Sequence, residues 1–208
     1  MPKVSKRSSY HHGNLRPALK AAALELVEEA GIGGLNLREA AKRLGVSPAA
    51  PYRHFPDKTA LLAALAEDGF QMLLPQLEDA RGQAGEDGFA SFVGVGLAFV
   101  QFGTEHPAHF RLMYGADSPS RATYPELANY DLEGFRILCD AIARAQTQGT
   151  FRPGNTRQMA LVSFSLVYGA VSAFIDGQMS RLGFSRSEAE EALAAGGAYL
   201  LNGFRAAD

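Results

Sequence analysis

Leu37-Arg38-Glu39-Ala40-Ala41-Lys42-Arg43-Leu44-Gly45-Val46-Ser47-Pro48-Ala49-Ala50-Pro51-Tyr52-Arg53-His54-Phe55 is the stretch whose reading decides the fold. It reads as two short helices around a tight turn. Asn36 is placed to cap the first helix, predicted over 37–44, with Glu39 three residues on to complete a capping box. Gly45 supplies the left-handed backbone that ends it. The second helix is predicted over 48–54, after Ser47. Ala41 is small enough for the two helices to cross closely. Leu37, Ala40, Leu44, Val46 and Phe55 supply a shared core. This is the helix-turn-helix plan, in which the second helix enters a DNA major groove. Counted from Ser47 as cap, Pro51 takes the fourth helical position. There it removes a hydrogen bond and crowds the cap carbonyl, so a short or tight recognition helix is expected.

Working outward, apolar residues recur at helical spacing and no run alternates as a half-buried strand would. Leu15, Leu19, Ala22, Leu26 and Ala30 line one face of a helix over 14–30 that Gly31 ends. A helix over 58–80 follows Asp57 as cap. After a Gly-rich turn comes a Phe-rich helix ending near 105, then a short one opened by Pro107. A loop over 115–123 precedes a helix over 125–147. Asn155 with Gln158 opens a helix running to 181, and Ser185 with Glu188 opens a last one over 186–205. The expected architecture is all-α, of about nine helices. An N-terminal three-helix DNA-binding domain over 1–60, with a basic arm, precedes a larger helical domain over 61–208.

Charge divides the same way. The net charge of −2 conceals +5 in residues 1–60 and −7 in 61–208, and all five lysines (Lys3, Lys6, Lys20, Lys42, Lys58) lie in the first part. Such segregation suits a polyanion-binding end, although chance also produces it. Around the turn lie the donors that phosphates require: Lys42 and Arg43, then Tyr52, Arg53 and His54, then Lys58. Arg38 is placed to reach a guanine edge with a bidentate pair, and Ala49 and Ala50 offer only apolar contacts such as a thymine methyl. Packing is the alternative role for these aromatics, and the one assigned to Phe55.

The segments 22–31 and 37–47, with Tyr52-Arg53-His54-Phe55-Pro56-Asp57-Lys58 and Ala60-Leu61-Leu62, resemble the TetR family of repressors. The opening Tyr10-His11-His12-Gly13-Asn14-Leu15-Arg16 is similar to that of a branch whose C-terminal domain carries Trp-His-Gly; Val167-Tyr168-Gly169 keeps only the glycine. The resemblance implies that Asn36 lies near phosphate and Arg38 near a base. It implies that Pro48, Ala49 and Ala50, following Ser47, face bases, and that Tyr52, His54 and Lys58 clasp phosphates. It implies a homodimer through the last two helices, a palindromic operator in double-stranded DNA, and a cavity for a small effector in the C-terminal domain. Phe92, Phe99, Phe102, Phe110, Met113, Tyr114, Phe135, Leu138, Phe164 and Tyr168 are the lining candidates, and their few charges favour a mainly apolar ligand. Plain core packing explains any one of them equally well.

Other classes fit less. No Gly-x-Ser-x-Gly elbow, phosphate-binding glycine loop or His-Glu-x-x-His site is present, so no enzyme and no cofactor is expected. Glu105, His106 and His109 are too loosely spaced for a convincing metal site, and none is expected. The lone Cys139 excludes an intrachain disulfide and leaves a redox sensor as an option. The start lacks a signal-peptide pattern, and the uncharged run 159–175 falls short of the ~20 residues that span a bilayer, so a cytoplasmic protein without a membrane contact is expected. The second functional reading is a DNA-binding regulator without small ligand, controlled by a protein partner or by redox state.

Overall fold

The computed structural model describes residues 15–185, 187–189 and 191–192. Every regular element among them is helical: α1 (Leu15–Gly34), α2 (Leu37–Arg43), a 3₁₀ turn (Pro51–Arg53), α3 (Lys58–Gln83), α4 (Gly88–Glu105), α5 (Pro107–Tyr114), α6 (Pro125–Thr147), α7 (Thr156–Ile175) and α8 (Gln178–Arg181). The chain divides into two compact units, Met1–Leu65 and Ala66–Asp208, and α3 runs through the division.

Three expectations are corrected. The helix expected over 48–54 is a turn followed by a 3₁₀ turn: Ala50 N–H donates to Ser47 O at 3.0 Å, and His54 and Phe55 N–H both donate to Pro51 O at 2.9 Å. Pro51 has no N–H with which to carry an α-helical ladder from Ser47, so it opens a new turn at its first position instead of sitting fourth in an old one. The helix expected to reach 181 breaks at Gly177, whose φ of 69° is left-handed, leaving α8 as a separate short piece. Gly31, at φ 70°, kinks α1 without ending it, and helical backbone resumes to Gly34. The last expected helix, 186–205, and the arm before residue 15 lie outside the described residues but for 187–189 and 191–192.

In the first unit, α1 buries Leu19, Ala22, Ala23, Leu26 and Val27. These meet a core that includes Leu37, Ala40, Ala41, Phe55 and Leu61, all under 5 % exposed. The alanines matter because they let α2 lie close to α1. The end of α2 closes as a Schellman motif: Gly45 N–H donates to Lys42 O at 3.1 Å and Val46 N–H to Ala41 O at 3.0 Å, with Gly45 at φ 67°.

In the second unit α4, α6 and α7 pack on one another. Phe92, Ala141, Ile142, Ala145, Phe151, Met159 and Ala160 form one buried cluster among them. Further along, α4 and α7 meet at Gly103, where a Cβ would lie 2.5 Å from Val171 Cγ1. Burial of this aliphatic and aromatic surface, at ~25 cal/mol per Å², is what holds the three helices together. α7 nevertheless leaves Leu161, Val162 and Leu166 at 57 %, 54 % and 45 % exposure. Extended to 20 residues, α7 is also long and apolar enough by length and composition to cross a membrane, which the shorter run 159–175 was not.

Candidate nucleic-acid interface and ligand cavity

Asn36 caps α2: its backbone is extended and its Oδ1 accepts from Arg38 N–H at 2.9 Å. That bond sets Arg38 in the first turn of α2 with its side chain exposed and without an ion-pair partner among the described residues. Glu39, expected to complete the box, instead accepts from Lys42 Nζ at 3.4 Å. Asn36, Arg38, Lys42 and Pro48 line a single surface depression. Ser47, Pro48, Ala49, Arg53 and His54 are exposed, Tyr52 is 46 % exposed and Ala50 is half-buried. Lys58 is half-buried, and its Nζ donates to Gly33 O at 3.3 Å, which leaves two of the three ammonium donors. The ten candidates therefore lie on or next to the α2 start, the 3₁₀ turn and the α3 start.

Two basic residues behave differently from the sequence reading. Arg43 turns to α1, where it donates from Nη1 to Glu29 Oε1 at 2.9 Å, pairs again through Nη2 with Glu29, and lies 3.7 Å from Glu25. The Arg43 hydrogen bond holds the Glu29 carboxyl below its ordinary range. Arg43 thus ties two helices together, with its charge balanced by Glu29 and Glu25. Arg16, which the sequence offered only as the end of the opening stretch, lies 4.7 Å above the Phe55 ring, a cation–π contact over a phenylalanine that is only 2 % exposed.

The second unit holds a cavity of about 620 Å³ among α3, α4, α5, α6 and α7. Phe92, Phe99, Met113, Tyr114, Phe135, Leu138 and Phe164 line it as expected. Phe102, Phe110 and Tyr168 do not. Phe102 and Phe110 are 0 % and 1 % exposed and belong to the packed core. Tyr168 is used beside the cavity: its hydroxyl donates to Tyr114 O at 3.1 Å, and its ring stacks on Phe164. Leu97, Leu132 and Leu161 line the cavity and are exposed, so they form its mouth.

Sequence reasoning missed the polar end. Arg121 and Asp131 both line the cavity. Arg121 Nε donates to Asp131 Oδ2 at 2.7 Å and Nη2 to Oδ1 at 3.3 Å. Its remaining N–H groups go to Met113 O at 2.6 Å, Ser118 Oγ at 2.7 Å and Pro119 O at 3.0 Å. Loop residues carry no periodicity, so nothing in the pattern marked Arg121. Tyr114 is packed edge-on or tilted against Phe70, Phe99, Phe110 and Phe164. Burial, and next the charge of Asp131, hold the proton on its phenol, with Arg121 pulling the other way. Among the described residues no three His, Cys, Asp or Glu are grouped to hold a metal. Glu105 Oε1 accepts from Gln101 Nε2 at 2.9 Å, and the His106 ring lies 5.2 Å from that of Phe102.

Family models match two regions: bacterial regulatory proteins of the tetR family over residues 19–65, and the tetracyclin repressor-like C-terminal domain over 92–196. The chain belongs to the TetR family of bacterial regulatory proteins. This TetR-family chain is 35 % identical over 120 residues to the tetracycline repressor protein class A from transposon 1721 of Escherichia coli, a match covering 58 % of the chain and 52 % of the relative. It therefore spans about half the length of that curated relative. A solved protein of unknown function from Rhodococcus sp. RHA1 is 32 % identical and superposes with a TM-score of 0.77, covering 96 % of this chain and all of that one. A tetR-family regulatory protein from Rhodococcus RHA1 shares the fold at 23 % identity and a TM-score of 0.74, covering 94 % of this chain and 100 % of that one.

Proposed function

We propose that the protein is a DNA-binding transcriptional repressor that leaves a palindromic operator when a small, mainly apolar effector fills the 620 Å³ cavity. The observation that carries the DNA reading is the exposed set Arg38, Tyr52, Arg53 and His54, held together on a helix-turn-helix while Arg43 pairs with Glu29. Cationic and hydroxyl groups with no partner among the described residues, beside exposed Pro48 and Ala49, suit phosphate clasping around a base-reading edge. Repression is carried over from the tetracycline repressor relative. Residues 1–60 take the DNA role and 61–208 the sensing and pairing roles.

The face that α7 leaves uncovered supports a homodimer. Val162 and Leu166, four residues apart on one 20-residue helix, form an apolar strip that a second copy would cover. A palindrome sets its half-sites about one DNA turn apart, ~34 Å, and a dimer reading it would bring one recognition turn to each. α3 begins at Lys58 and contributes Leu77 to the cavity, so one helix joins the two roles. A ligand acts only as far as it favours one state over the other.

The test is selection of bound duplexes from a random pool, followed by salt titration of the winner. An enriched palindrome whose affinity falls steeply with salt is expected. Failure to enrich any sequence at low salt would overturn the reading.

A further inference from the structure

The polar end of the cavity has an unusual charge balance. Arg121 has five N–H donors, and all five are used within the protein, two of them on Asp131. An anionic head entering the cavity would find no free guanidinium donor. A cationic head would find a carboxylate already balanced. Either ion would lose its water without compensation, which in an apolar cavity is costly. Phe92, Phe99, Phe135, Leu138 and Phe164 supply the rest of the wall. Ser163, the other hydroxyl in the lining, gives its proton to Met159 O. One free donor therefore remains among the described lining residues: Tyr114 lines the cavity, and its hydroxyl has no partner among the described residues. Its proton is held firmly, so it is a donor at any physiological pH.

From this geometry we infer that the effector is an uncharged lipophilic molecule bearing one hydrogen-bond acceptor, such as a ketone or ester carbonyl, which the Tyr114 hydroxyl receives beside the closed Arg121–Asp131 pair. The inference rests on the ligand-responsive reading above and narrows it to a chemical class. The pair's role is exclusion: it keeps the loop over 115–124 folded onto the cavity while presenting no net charge. The cavity's size lies within the usual range for ligand sites, ~300–1,000 Å³.

The test uses three ligands with the same ten-carbon tail: decan-2-one, decanoate and decyltrimethylammonium. Each is titrated at pH 7.5 against the full chain carrying the neutral fluorophore N-phenyl-1-naphthylamine, with calorimetry as a second readout. Decan-2-one is expected to bind at least about tenfold more tightly than either ion. Tyr114→Phe, which removes only the hydroxyl, is expected to weaken the ketone about three- to tenfold and to leave the ions unchanged. Asp131→Asn leaves the guanidinium charge unbalanced and is expected to move the preference towards decanoate. Equal or tighter binding of either ion to the unaltered protein overturns the inference, as does a Tyr114→Phe variant that binds the ketone normally. If none of the three displaces the fluorophore, the class assignment is wrong. The duplex selection reports separately whether the regulator reading stands.

Discussion

Arg38 and Arg43 stand on the same helix, yet one is exposed without an ion-pair partner among the described residues and the other is held by Glu29 and Glu25. Their substitution should therefore read differently. Arg38→Ala is expected to cost about 1–3 kcal/mol of specific affinity and to relax the preference at one base pair, measured against point variants of the selected duplex. Arg43→Ala is expected to leave that preference intact and to lower thermal stability slightly, since exposed ion pairs contribute little. Asn36 was legible from its position ahead of an apolar run, because a cap is a local device. The fate of Arg43 was not, because Glu29 is fourteen residues away and only the folded contact of α1 with α2 brings them together. Cys139 illustrates a similar point. Burial pushes its thiol up, with Arg157 opposing weakly, so it is a poor nucleophile near neutrality. Iodoacetamide labelling of the folded protein should be slower than that of a free thiol at pH 7.5 and should accelerate as pH rises. Fast labelling at neutral pH would favour redox control.

At the scale of elements, the helices with strong punctuation were the readable ones. Pro107 and Asn155 stand at the starts of α5 and α7 as expected, and each start is a matter of two or three neighbouring residues; the structure adds Asp87 as the cap of α4, its side chain accepting from Ala90 N–H. The recognition segment was read as an α-helix because its apolar spacing allows one. Proline then decided the matter through a missing N–H, which the sequence warned of but whose outcome depends on what the turn packs against. Pro51→Ala restores that donor. It is expected to raise helical circular dichroism and to change which bases the 48–50 segment prefers, seen by repeating the selection with the variant. An identical consensus would mean that this segment does not read bases. The cavity was half legible for a related reason. Aromatic residues on α4, α5, α6 and α7 were visible by their period. Which of them face inward, as Phe99 does, and which are sealed, as Phe102 is, depends on how the helices are rotated about their axes.

For the whole molecule, the exposed strip on α7 makes the strongest prediction. Val162→Glu combined with Leu166→Glu places charge on that strip without touching the cavity lining. Sedimentation is expected to show a monomer, and operator affinity is expected to fall about a hundredfold or more as the second half-site contact is lost. A dimer that survives both changes would move the interface elsewhere. The cavity's two ends carry a last consequence. Phe92 packs with Met159 and Ala160 at one end, and Gly103 lies against Val171 at the other, with the cavity wall between them. Between those ends α7 is held by the buried Ser163 and by Phe164 and Tyr168, whose rings pack on Tyr114 and Phe110. A guest in the cavity would meet α7 in this segment, at Leu161, Ser163, Phe164 and Val167. Val162 and Leu166 sit on the exposed side of this same segment, so one stretch of helix presents a wall to the cavity and a face to the surroundings.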